Sequence, residues 1–131
     1  CSTEGALSFI KGLGAVHAMS HAAGRIARLN LHHGTLNAVF LPAVLRFNAP
    51  ECGDKYERLR LAIGLAPGAD LADAVAAMNA DIGLPAGLGA MGVEEDDIPE
   101  LIAYAQKDLS ARTNPRQASA DDFEMMIRQS L

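Results

Sequence analysis

The stretch Gly12-Leu-Gly14-Ala-Val-His17-Ala-Met-Ser-His21-Ala-Ala-Gly24, followed by Leu31-His32-His33-Gly34-Thr-Leu-Asn37, carries all four histidines of the 131-residue chain. Histidine is the commonest metal ligand and the one side chain that titrates near neutrality without perturbation, so chemistry is sought here first. His17 and His21 stand four apart, which on a helix puts them on one face, a turn apart. The alanines, Val16 and Met19 between and around them favour that helix, and Gly12, Gly14 and Gly24 loosen its ends. Arg25, Ile26, Ala27 and Arg28 add a last turn, with the arginines at the negative end of the dipole. His33 lies just before Gly34-Thr35, where a new helix begins, and an imidazole at the mouth of one helix can point back at the side of its neighbour. Spacing alone leaves two readings open. The rings belong to a metal or catalytic site, or they line a packed interface with each bonded to a carbonyl. Ala18 excludes the HExxH zinc pattern. Two or three imidazoles do not complete a usual catalytic site, which takes three or more protein ligands, often with a carboxylate.

Outward from the cluster, every long segment reads as helix. Residues 5–27 form one long or broken helix, interrupted near Gly12-Gly14. Residues 34–48 carry Leu36, Val39, Phe40 and Ala43 at helical spacing, widened by Leu41, Val44 and Leu45 into the stripe of a buried central helix. Pro42 predicts a kink or break within it, and Asn48-Ala-Pro50 predicts its end. Residues 54–64 offer Tyr56, Leu59 and Ile63 and close at Gly64. Asp70 is an N-cap for 71–82, where Leu71, Val75, Met78 and Ile82 form a seam stopped by Gly83 and Pro85. Residues 83–92, rich in Gly and Pro, are a loop. Asp96 or Asp97 caps a helix from Ile98, with Pro99 in its first turn and Leu101, Ile102, Ala105 and Leu109 inward. The acidic run Glu94 to Asp97 reads as a solvated helix start, since four adjacent carboxylates cannot face one ion from a helix. Ser119 caps a last helix whose Asp121 and Asp122 suit the dipole and whose Phe123, Met126 and Ile127 face inward. Met125-Met126 reads as half surface and half core, and Arg112 and Arg116 as surface or capping residues. No segment alternates with period two for long. The expected class is all-α, a helical bundle forming a single domain over residues 1–131.

Composition agrees. Half the residues are apolar but only 5% are aromatic, with no Trp, so the core must be Leu, Ile, Val, Met and Ala packed helix on helix. A formal charge of −5 argues against nucleic-acid or acidic-membrane partners. No run of eighteen apolar residues suggests a membrane span. Cys1, at the chain end, and Cys52, expected in a loop, do not make a disulfide framework, and a reduced, cytoplasmic setting is the simpler reading.

The segment Gly12 to Asn48 resembles the signature region of the iron-containing (group III) alcohol dehydrogenases. That family carries G-x-x-H-x-x-x-H-x-x-G, a second histidine-glycine element and an N-A-V-x-L-P run. Here these are Gly14-Ala-Val-His17-Ala-Met-Ser-His21-Ala-Ala-Gly24, then His33-Gly34-Thr-Leu-Asn37-Ala-Val-Phe-Leu41-Pro42, then Val44-Leu-Arg-Phe-Asn48. Asn114-Pro115-Arg116 before the final helix is similar to the family's carboxy-terminal pattern. The likeness covers essentially the whole chain, as the last part of the family's dehydroquinate synthase-like helical domain.

The resemblance implies that His17 and His33 ligate a catalytic divalent metal, Fe(II) with Zn(II) also acceptable. It implies that His21 does not bind the metal but sits between it and the nicotinamide, as a proton-relay or substrate-side residue. Ser110 falls at a pocket-lining position. His32 and Ala22 stand where many members have Pro, and the stretch from His21 to His33 is slightly longer than the family pattern. His32 is assigned no role. The family's Gly-rich nucleotide turn and its D-x-x-x-H helix, which supply NAD(P) binding and the other two metal ligands, have no counterpart before Gly12. The chain is therefore expected to be a carboxy-terminal fragment of a larger enzyme, or of a truncated gene, with half a metal site. The implied activity is NAD(P)-linked interconversion of a small alcohol and its aldehyde or ketone, in a homo-oligomer completed by an amino-terminal nucleotide-binding domain. The alternative is a non-catalytic helical module or remnant that binds metal weakly and self-associates through an exposed apolar patch.

Overall fold

A computed structural model describes residues 12–131. Among these are five α-helices and no strand: α1 (Gly14–Ala23), α2 (His33–Ala62), α3 (Leu71–Asp81), α4 (Ile98–Lys107) and α5 (Ala120–Arg128). Short 3-10 turns lie at Gly89–Met91, Glu95–Asp97 and Leu109–Thr113. The all-α expectation holds. The expected helical start over residues 5–11, and Cys1, lie outside the described residues.

The centre is α1. Ala15, Ala18, Met19, Ala22 and Ala23 are buried, and mostly small side chains let α2, α4 and the Leu109–Thr113 turn all approach it. Leu36 and Phe40 of α2, Leu101 and Ala105 of α4, and Phe123, Met126 and Ile127 of α5 complete the core around it. Each of the large side chains contributes roughly 1.5–3 kcal/mol by leaving water. After Ala23 the chain turns rather than adding a full helical turn: Arg25 N–H donates to the Ala22 carbonyl and Ile26 N–H to that of Ala23.

The expected break at Asn48-Ala-Pro50 does not occur. α2 runs unbroken for 30 residues, through Pro42 and Pro50. The reasons are tertiary. Pro42 has no N–H for the Ala38 carbonyl, and the Asn79 side-chain amide of α3 donates to that carbonyl at 2.8 Å instead. Asn48 does not cap anything, because its amide is buried and reciprocally paired with Asn114: Asn114 Nδ2 donates to Asn48 Oδ1 at 2.7 Å, and Asn48 Nδ2 to Asn114 Oδ1 at 3.2 Å. Beyond Pro50, Cys52 and Tyr56 bury against Leu71, which gives the extension its own small core. Cys52 is thus a buried helical thiol rather than a loop residue. The helix closes where expected: Gly64 takes φ +75, and Leu65 N–H reaches back to the Arg60 carbonyl in a Schellman turn.

Asp70 caps α3 by accepting from Asp73 N–H, and Ser119 and Asp122 form a reciprocal capping box on α5. Asp97 precedes Ile98 as expected, yet its carboxylate serves Glu94 N–H and Arg28 instead of capping α4. Five residues expected inward are exposed: Leu59, Ile63, Met78, Ile82 and Leu109. The helical period is right, but the outer ends of α2 and α3 cover only each other's near faces, and Leu109 belongs to the 3-10 turn after α4. Met125 is exposed and Met126 buried, as their adjacency requires. Among the described residues no helix is long and apolar enough to cross a membrane.

Asn79→Ala should cost about 1 kcal/mol through the orphaned Ala38 carbonyl, and Asn114→Ala about 3 kcal/mol, because it strands Ala15 N–H and both groups of Asn48. Urea unfolding of the three proteins checks this. A loss at Asn114 no larger than at Asn79 would show that the buried pair is not what joins these elements.

Candidate metal centre

The fold brings His17, His21 and His33 together and leaves His32 apart. His17 and His21 share one face of α1, and His33 opens α2. Their ring centroids lie 5.2 Å apart for His17 and His33, 5.1 Å for His21 and His33 and 5.8 Å for His17 and His21, with His21 stacked on His33. His32 is the N-cap of α2: its Nδ1 accepts from Thr35 N–H at 3.3 Å. It starts the helix that carries His33.

Two neighbours set the chemistry of the rings. Ser20, fully buried, donates its hydroxyl proton to the His17 carbonyl at 3.1 Å. Its oxygen therefore accepts from His33 Nδ1 at 3.3 Å, which leaves the His33 lone pair on Nε2. That Nε2 lies 3.2 Å from Asn37 Nδ2, and His17 Nε2 lies 3.5 Å from the same nitrogen. Both imidazole lone pairs thus meet at one electropositive group. The other end of that amide, Asn37 Oδ1, is buried without a partner. Burial pushes the pKa of His17 below its ordinary value, helped by the charges of His33 and His21. Burial does the same to His33, with His21 and His32 adding to it. Neutral imidazoles with converging Nε2 atoms are what a divalent cation requires, so these two residues fit such an ion. They are a partial set. Among the described residues no three His, Cys, Asp or Glu side chains are grouped to hold a metal.

His21 points its Nδ1 at Asp108 Oδ2, 2.9 Å away. Asp108 is in turn held by Ser110 N–H at 2.8 Å. Partial burial pushes the Asp108 carboxyl up, but the hydrogen bonds from Ser110 and His21 more than offset it, and its pKa lies below the usual carboxylate value. An ionised Asp108 accepts, so His21 donates from Nδ1 and keeps Nε2 free to take a proton.

The family model described as Fe-containing alcohol dehydrogenase family, C-terminal, matches residues 6–131. The chain belongs to the Fe-containing alcohol dehydrogenase family. It is 50% identical over 99% of its length to the 4-hydroxybutyrate dehydrogenase of Cupriavidus necator and 40% identical over 86% to the lactaldehyde reductase of Escherichia coli K12. It spans 36% and 31% of those two proteins. Its fold is similar to a 1,3-propanediol oxidoreductase crystal structure, with a TM-score of 0.84 and 31% identity over 90% of this chain and 32% of that one. The sequence resemblance to iron-containing alcohol dehydrogenases and the expected all-helical fold are both borne out.

Ser20, Asn37 and Asp108 were not singled out for the site. Ser20 is three residues from His17 and Asn37 four from His33, so helical spacing could have flagged both. Asp108 is 87 residues from His21 and carries no local signal.

Because His17 and His33 hold protons less readily folded than unfolded, the unfolded chain binds more protons just below the ordinary value of 6.5. Stability should therefore be complete above pH 6.5 and fall as the pH drops below it. The lowered aspartates, referenced to 3.8, act only at more acid pH. Urea unfolding at pH 7.5 and 5.5 should show this loss, and a His17→Ala/His33→Ala variant should show a flatter profile.

Proposed function

We propose that this chain is the metal-binding helical part of an NAD(P)-linked alcohol dehydrogenase that interconverts a small alcohol with its aldehyde or ketone. The meeting of the His17 and His33 Nε2 atoms at one point, in a chain of this family, carries the reading. The two histidines would hold Fe(II), or Zn(II) in its place, since neutral imidazoles suit both. When bound, the metal supplies Lewis-acid polarisation of the alcohol oxygen, and the nicotinamide supplies the hydride acceptor. The remaining ligands and most of the NAD(P) contacts belong to a nucleotide-binding part outside these 131 residues. The relatives, about three times as long, leave room for it.

His21 takes the hydroxyl proton at Nε2 and passes it to solvent, to which its ring is open. Asp108 steadies the imidazolium that forms and fixes which nitrogen is basic. Ser20 orients His33 through Nδ1. The buried, unpaired Cys52 is consistent with a reducing, cytoplasmic setting. Exposed apolar residues such as Leu61, Ile63 and Ile82 are consistent with a homo-oligomer or an additional domain.

The incomplete donor set favours a second reading, a helical module that does not catalyse by itself. Anaerobic Fe(II) and Zn(II) titrations of the chain separate the two. Stoichiometric binding lost in the His17→Ala/His33→Ala variant supports a site that closes in this chain or across an oligomer. Weak binding, equal in both, assigns the chain half a site at most. In the metal-loaded longer enzyme, His17→Ala or His33→Ala should abolish metal retention. His21→Ala should keep metal and lower kcat by about 10²–10⁴. Asp108→Asn should keep metal and lower kcat roughly tenfold or more. Equal metal loss in all these variants would overturn the division of roles.

A further inference from the structure

We propose that Asn37 is a third metal donor of this chain, its side-chain amide turning over to bring Oδ1 to an ion held by His17 and His33. The proposal rests on the metal-binding reading above and adds a ligand from outside the usual set of imidazoles, thiolates and carboxylates.

Asn37 follows His33 by four residues on α2, which places it one turn along the same helix face. Its Nδ2 stands 3.2 Å from His33 Nε2 and 3.5 Å from His17 Nε2. Donors bound to one tetrahedral ion at about 2.1 Å lie about 3.4 Å from one another. The amide head therefore sits at the spacing of a fellow ligand from both nitrogens, too far from either to mark the place of the ion itself. Its orientation follows from its neighbours. Ser20 takes the Nδ1 proton of His33, so His33 Nε2 presents a lone pair, and the amide meets it with N–H rather than with oxygen. A cation shared by the two imidazoles reverses that preference, because it repels the N–H dipoles and attracts the carbonyl. Oδ1 can answer, since it is buried and has no hydrogen-bond partner. A half-turn of the amide about its Cβ–Cγ bond exchanges Oδ1 and Nδ2, which are nearly equal in size, and leaves both rings where they are. One end of the amide is unpaired in either orientation, so the turn exchanges one such cost for another. A carboxylate here would face the lone pairs with negative charge, and an apolar side chain would serve neither partner. An amide offers a donor to the lone pairs and an acceptor to the ion.

Zn(II) titrations of the 131-residue chain, followed by NMR, test this without reference to activity. The Asn37 ¹³Cγ signal should move together with the ¹⁵Nε2 signals of His17 and His33, toward higher frequency as the carbonyl is polarised. Asn37→Leu should weaken Zn(II) binding about tenfold. Asn37→Asp, of nearly the same shape and in need of no turn, should bind at least as tightly as the unaltered chain. Binding that is unchanged or tighter in Asn37→Leu would overturn the third donor and spare the histidine pair. So would weaker binding in Asn37→Asp, or a Cγ signal that stays still while both imidazoles respond. Zn(II) binding that is undetectable, or unchanged by His17→Ala/His33→Ala, would instead remove the histidine pair itself from metal binding in this chain, and the third donor with it.

Discussion

One buried side chain, Asn114, joins the parts on which the site depends. Its Oδ1 accepts from Ala15 N–H at the start of α1 and from Asn48 of α2. Its Nδ2 donates to Asn48 and to the Arg116 carbonyl. Three segments far apart in sequence thus share one fully satisfied amide, and a buried amide with these partners has few alternative placements. Asn114 directly follows the Leu109–Thr113 turn, so fixing it against Ala15 also fixes that turn against α1. Asp108, at the other end of the turn, thereby comes within hydrogen-bonding distance of His21. Arg116 reinforces the same junction by donating to the Phe47 carbonyl while stacking on the Phe47 ring.

The smallness of α1 is the second constraint. A helix contacted by α2, α4 and the 3-10 turn cannot carry large residues on every face. Ala15, Ala18, Ala22 and Ala23 give it a thin buried surface, and Met19 alone fills volume. The two histidines take the side left over, where α2 begins. His33 reaches them because it is the first residue of α2, and His32 as N-cap decides where that helix starts. The order of four residues, His32 to cap, His33 to reach inward, Leu36 to bury and Asn37 to meet the Nε2 atoms, compresses half of the site into little more than one helical turn.

How much of this was legible follows the range of each interaction. The caps at Asp70 and Ser119, the stop at Gly64 and the apolar stripe Leu36–Val39–Phe40–Ala43 are local, and they read correctly because a few neighbouring residues determine them. Meeting of His17, His21 and His33 was legible through the family motif, which stores tertiary information that spacing lacks. The misreadings are long-range. Pro50 reads as a helix end because no local feature reveals that Tyr56 packs on Leu71 or that Asn48 is held by Asn114. Leu59, Ile63, Met78 and Ile82 read as inward because a periodic apolar face says that something covers it, not that the cover lies in the same stretch of chain. Asp108 was invisible as a partner of His21 for the same reason.

The electrostatics favour a site left open on one side. A complete metal site of three or four ligands, buried in a domain of this size, would need several charged or polar donors desolvated together before the ion arrived. Here the donors are two imidazoles whose protonated forms are disfavoured by burial and mutual repulsion, so bringing them together costs the fold little. The carboxylate nearby, Asp108, is held by His21 and Ser110 rather than aimed at the place where His17 and His33 meet. Any carboxylate ligand must then come from another element, and its charge would be neutralised only when ion and ligand arrive together. The contacts that hold the bundle together, those of Asn114 and of the alanines of α1, involve none of the imidazoles and so do not depend on an ion.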